Sequence, residues 1–295
     1  MELLRFLLNA WTLATGGNLK WIVNESRYTA LEIAAQSNDV GVIRLLLEYG
    51  ADDASLALRK ALWVGDVDME VVELLLASGA QVGILHGDYE GTSTALELAA
   101  WTSRSSVLRL LPEHRNDRIA THEKSRALQT AAYEGNLDAA ELLLDHGAEI
   151  NAAPLLSFFE DRYDFCLFRT ALQAAAGKGD LKLVRFLLDC GADVESKVPS
   201  ENGQGTALQF AAIAGSMSVV TELIQKGADV SAPAIDYDGR TALEGAAEHG
   251  RLDVVQLLLD LGVESAGSRA IQFAREEGHE GVIALLQEAG WDDSV

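Results

Sequence analysis

Apolar and polar positions fall in short blocks along the chain, and one stretch shows the rule. In "TALQAAAGKGDLKLVRFLLDCGADVE", Thr170 to Glu195, an alanine-rich apolar face runs to a glycine. A second run then places Leu and Val at i, i+3 and i+4 before another glycine. The pattern predicts two short amphipathic helices, each stopped by a glycine able to adopt a left-handed conformation. Thr at the turn is predicted to cap the first helix by accepting a backbone N–H bond. The alanine pair leaves a flat face on which a neighbouring helix can approach closely.

The same block recurs from end to end. It reads "TALEIAAQSND" at Thr29, "LALRKALWVGD" at Leu56, "TALELAAWTSR" at Thr94 and "RALQTAAYEGN" at Arg126. It continues with "TALQAAAGKGD" at Thr170, "TALQFAAIAGS" at Thr206, "TALEGAAEHGR" at Thr241 and "RAIQFAREEGH" at Arg269. Successive starts are 27, 38, 32, 44, 36, 35 and 28 residues apart, a mean of about 34, and a fixed period of this size means a stack of small helical units. One unit has too little core to stand alone, so stability is shared between neighbours.

The block "T-A-L-x-x-A-A-x-x-G" followed by "V-x-x-L-L-x-x-G-A-D", as in Val184 to Asp193, resembles the ankyrin-repeat family. The resemblance covers roughly Arg27 to Gly290. It implies an all-α solenoid of about eight helix-turn-helix units, with residues 1–26 as a capping or shortened unit, 27–290 as the array and 291–295 as a tail. The family's usual Pro after Thr is Ala in most units. Its usual His is Glu or Gln, at Glu32, Glu97, Gln129, Gln173, Gln209 and Glu244, so the family's hydrogen bonding at that turn must be altered. The Ala-Leu-Gln flavour is similar to ankyrin proteins of filamentous fungi, whose arrays often follow a nucleotide-binding or F-box region; neither region is present in this sequence.

Two irregularities stand out. Pro112 falls where the second helix of the third unit should continue, and the polar "HRNDRIATHEKS" interposes before the next turn, which predicts a loosened joint there. Long linkers, "GDYEGTS", "APLLSFFEDRYDFCLFR", "PSENGQG" and "AIDYDG", project between helix pairs, and connections of such length serve binding more often than packing.

Charge narrows the range of partners. With 45 acidic and 23 basic side chains among 295 residues, the formal net charge is −22, which disfavours nucleic acid and anionic membrane and favours basic or neutral partners. The two cysteines, Cys166 and Cys190, have no disulfide or zinc spacing, in keeping with a reducing, cytoplasmic or nuclear compartment. Cys190 reads as a buried thiol on a second helix. The opening "MELLRFLLNAWTLATGG" lacks a cationic start and reads as a cap rather than a signal peptide. No run reaches the length of a bilayer span.

Searches for chemistry end in structural readings. "GKGD" at Gly177 lacks the phosphate-loop frame and reads as a helix stop, the six histidines show no metal spacing, and no nucleophile elbow is present. Neither a catalytic residue, a metal nor a cofactor is expected. The finger residues His86, Asp88, Tyr89, Asp161, Tyr163, Asp236 and Tyr237 form an acidic and aromatic set that reads as solvated loop tips, with acid–base work as the sharper alternative.

The resemblance further implies that the two residues after each Ala-Ala pair face a concave groove. In chain order these are Gln36–Ser37, Trp63–Val64, Trp101–Thr102, Tyr133–Glu134, Gly177–Lys178, Ile213–Ala214, Glu248–His249 and Glu276–Glu277. Trp63, Trp101 and Tyr133 in successive units, continued by Lys178, Ile213 and His249, make the expected partner or ligand groove; extra core is the other reading of the rings. Two functions are open at this point. One is a non-catalytic protein-recognition module holding an apolar or basic segment. The other is a small-molecule binding or catalytic protein of a specialised pathway, its groove closed by the insertion 153–169.

Overall fold

The computed structural model describes residues 28–63, 66–83, 86–88, 91–102, 105–113, 119–153, 169–196, 205–234, 239–263 and 266–292. Among them the elements follow the predicted blocks as eight helix pairs. These are α1 Ala30–Gln36 with α2 Val40–Glu48, α3 Ala54–Trp63 with α4 Met69–Ala77, α5 Ala95–Trp101 with α6 Ser105–Glu113, and α7 Thr121–Glu134 with α8 Leu137–Asp145. The series continues with α9 Ala171–Lys178 and α10 Leu181–Asp189, then α11 Ala207–Ala214 and α12 Met217–Gln225. It closes with α13 Ala242–Glu248 and α14 Leu252–Asp260, and α15 Gly267–Glu276 and α16 Glu280–Glu288. The fold is an all-α repeat solenoid.

Threonine and glycine bracket these helices as their chemistry requires. Thr29, Thr94, Thr170, Thr206 and Thr241 each accept from the backbone N–H three residues on, and the Glu or Gln at that position accepts from the threonine's own N–H. The reciprocal pair satisfies two otherwise orphaned donors, a contribution of about 1 kcal/mol per cap. The terminating glycines adopt the left-handed region, for example Gly179 at φ 77° and Gly215 at φ 75°. In the first pair Asn38 takes that role at φ 53°, a conformation that its short polar side chain tolerates.

The chain divides into two compact units, residues 1–127 with 141–148, and residues 128–140 with 149–295, so the division runs through the fourth helix pair. In the first unit α1, α3 and α5 pack side by side through buried Ala34, Ala35, Ala57, Ala61, Ala99 and Ala100. In the second unit α9, α11, α13 and α15 do the same over Ala175, Ala176, Ala211, Ala212, Ala246 and Ala247. The second helices close each core from behind with Leu, Val and Ile, such as Leu183, Val184 and Leu187. Trp291 lies over Gly267, whose missing side chain gives the indole its seat at the last helix pair.

Three expectations change. Pro112 does not cut its helix short: α6 runs to Glu113 and has nine residues like every other second helix, while residues 114–118, where the loosened joint is expected, lie outside the described residues. Proline there forfeits the bond that an N–H would make to the carbonyl four residues back, but only Glu113 follows it in the helix, so little helix remains to be displaced. The polar stretch before Arg126 is partly helical. α7 starts at Thr121, with Glu123 Oε2 accepting from the Ala120 N–H at 2.9 Å, so Arg126, like Leu56 and Arg269, stands inside a helix where the other five units have a capping Thr. Cys190 is exposed, not buried. It is the C-cap of α10, one residue before left-handed Gly191, and so turned off the helix's apolar face.

The finger "GDYEGTS" contains a small antiparallel hairpin, β1 His86–Asp88 with β2 Gly91–Ser93, in the register His86 to Ser93 and Asp88 to Gly91. The amino-terminal segment 1–27 and the insertion 154–168 lie outside the described residues. No helix among the described residues is long and apolar enough to cross a membrane.

Candidate functional site

The seventh residue after each turn position ends, or nearly ends, a first helix, so its side chain leaves the core as the helix stops. In the second and third repeats both are tryptophans. Trp63 is the last residue of α3 and half-buried; Trp101 is the last of α5 and 39% exposed. Because the helices stack in register, the indoles meet, with ring centroids 5.3 Å apart and planes inclined at 52°. This tilted arrangement is favoured by the opposite partial charges of ring face and ring edge. Trp63 packs against Trp101, and part of the Trp101 ring stays open to solvent.

In the second unit the equivalent positions are Tyr133, Gly177, Ile213, Glu248 and Glu276, and Lys178 and His249 each stand one residue further on. Tyr133 is 36% exposed, and Lys178 Nζ stands 5.7 Å from its ring centre and 3.8 Å from Glu134 Oε2. Ile213 is half-buried because it lies over Gly245, where a side chain would collide with Ile213 Cγ1. His249 is exposed at the C-cap of α13, its Nδ1 3.1 Å from the Gly245 carbonyl. The predicted residues therefore gather as Trp63 with Trp101 in the first unit, and as Tyr133 with Lys178, and Ile213 and His249 about Gly245, in the second.

Sequence reasoning missed a second set of residues on and just before the first helices. The residue before each turn position reaches the fifth residue of the next unit's block, and three such pairs join a cation to a ring. Lys60 Nζ stands 3.8 Å over Tyr28, the Arg169 guanidinium 3.9 Å over Phe210, and the Arg240 guanidinium 3.9 Å over Phe273. Arg240 also forms a two-pronged ion pair with Glu248, at 2.7 and 3.0 Å. Gly177 leaves the room in which Arg169 lies. The signal was present in the spacing: Gly205 and Gly245 hold the same two positions, so large and small residues occur there in matched pairs.

Glu and Gln at the cap do different work between repeats. Gln173 Nε2 donates to the carbonyls of Ser196 and Gly205 at 2.8 and 2.9 Å, and Gln209 Nε2 donates to those of Ala232 and Pro233. Where the next block opens with Arg, the capping residue is Glu. Arg126 Nε stands 2.7 Å from Glu97 Oε1, and Arg269 Nε 3.3 Å from Glu244 Oε1. The second pair is held by charge without an aligned hydrogen bond. Burial pushes the Glu97 carboxyl above the usual carboxylate range, outweighing the opposing pull of Arg126 and of the Thr94 hydrogen bonds.

Of the finger residues, His86 and Asp88 lie on the two-stranded hairpin. Tyr89, Asp161, Tyr163, Asp236 and Tyr237 lie outside the described residues. Among the described residues no cluster of three or more His, Cys, Asp and Glu side chains is placed to hold a metal ion.

The comparisons agree with the helix pairs. A family model described as "Ankyrin repeats (3 copies)" matches residues 58–153 and again 172–266, and one described as "Ankyrin repeat" matches residues 26–57. No curated protein matches the chain. With most of its length accounted for by these matches and by the helix pairs they describe, the chain belongs to the ankyrin-repeat family.

Proposed function

We propose that the chain is a non-catalytic recognition module that binds a segment of another protein, with the Trp63–Trp101 pair as its anchor. Ankyrin repeats are in general protein–protein interaction modules. The observation that carries the finer reading is the 39% exposure of Trp101 against a ring fixed by Trp63. A large aromatic surface already held in place loses little conformational freedom on binding, which is why Trp is enriched among residues that dominate interface energies. Within the second unit Tyr133 and Ile213 hold the corresponding repeat position, with Lys178 and His249 at the next one, and they make that unit's own contact set. The net charge of −22 favours a neutral or basic segment.

Affinity purification from the source cells, with the full chain as bait, tests this reading. A partner protein retained by the parent chain and by Glu276→Ala but lost from a folded Trp63→Ala/Trp101→Ala chain is the expected result. Equal retention by all three overturns it.

A further inference from the structure

We infer that Trp101 receives a cationic side chain, most simply an arginine, from the bound segment; this rests on the recognition reading above. The inference comes from how the chain treats its own rings at and beside the first helices. Tyr28, Phe210 and Phe273 each lie under a cation of the same chain at 3.8–3.9 Å, and Tyr133 has Lys178 at 5.7 Å. Among the described residues, no cation stands over Trp101, although it is the most exposed of these rings and indole is the strongest cation acceptor among aromatic side chains.

The geometry leaves one place for such a group. Trp63 covers one side of Trp101 at a 5.3 Å centroid separation, too close for a side chain to enter between the rings. The incoming cation therefore lies on the solvent face of Trp101, as Arg169 lies on Phe210 and Arg240 on Phe273. A chain with 45 acidic against 23 basic residues draws cations toward it and holds the rest of a basic segment. Guanidinium is the preferred head group because its planar, weakly hydrated face stacks on a ring with less desolvation than an ammonium.

Short linear peptides displayed at random and selected on the full-length chain provide the probe. The strongest binder is then synthesised with each arginine in turn replaced by citrulline, which keeps the shape and removes the charge. The expected result is that binders carry arginine and that one citrulline replacement weakens binding about tenfold, the order of a partly desolvated cation–ring contact. That replacement should have little effect on the Trp101→Leu chain, which keeps an apolar side chain but has no aromatic face. Binders without a cation, or binders equally sensitive to citrulline on parent and Trp101→Leu chains, overturn the inference. If such binders still lose affinity for Trp101→Ala, the recognition surface stands and only its cationic occupant falls. If they bind Trp101→Ala as well as the parent, both fall, and failure to select any binder counts against both.

Discussion

Trp63 and Trp101, 38 residues apart in the chain, stand ring against ring at 5.3 Å because each ends the first helix of its repeat and the two helices are stacked in register. A repeat architecture turns equal positions in sequence into neighbours in space. The same logic aligns the joints between repeats, and each joint makes a claim that can be measured.

The buried pair of Glu97 and Arg126 is one such joint, with side-chain exposures of 7% and 12%. Removing one partner leaves the other charge buried and unmatched, so Glu97→Gln or Arg126→Met alone should each cost about 3 kcal/mol in urea unfolding. The double variant should cost less than the sum, by about 2 kcal/mol. Additive costs would show that the two groups do not depend on each other.

The raised Glu97 carboxyl carries a pH signature. In the folded chain it holds its proton to higher pH than in the unfolded chain, so its contribution favours folding below the unfolded carboxylate range, about pH 4.3. That contribution is lost as pH rises through the folded value. The stability of the parent chain relative to Glu97→Gln should therefore fall between acid and neutral pH, as read from paired denaturation curves. A relative stability that rises over that window contradicts the assignment of burial as the dominant cause.

Gly215 and Gly227 separate backbone strain from close approach. Both have left-handed φ, 75° and 95°, but a side chain at Gly215 meets Arg251 Cδ at 2.5 Å while none lies near Gly227. Arg251 Nε there donates to the Ile213 carbonyl at 3.1 Å. Gly227→Ala should cost about 1 kcal/mol from φ alone, and Gly215→Ala roughly twice that, because it also displaces Arg251. Equal losses in thermal unfolding would mean that the Arg251 contact contributes nothing.

Much of this architecture was legible before any coordinates. The Thr-Ala-Leu turns, alanine pairs and glycine stops act within one helix or between adjacent helices, so their meaning is local and they located all eight pairs. Pro112 stands one residue before the end of its helix, and the sequence pattern does not fix a helix end that closely. Cys190 misled because the residue before a left-handed glycine leaves the apolar face, whereas Leu183, Val184 and Leu187 hold it. The stacks of Arg169 on Phe210 and Arg240 on Phe273 were missed because each joins two repeats, and only the matched sizes at the two positions hinted at it.

The most direct measurement of the central claim is the Trp101→Ala chain, followed for unfolding and for affinity toward the recovered partner on the same preparation. Since Trp101 is 39% exposed, the account predicts a stability loss of about 1 kcal/mol, chiefly its contact with Trp63, together with a binding loss of about 2 kcal/mol or more. Glu276→Ala should change neither. A stability loss of about 3–5 kcal/mol with unchanged affinity per folded molecule would make the ring part of the core and contradict the account.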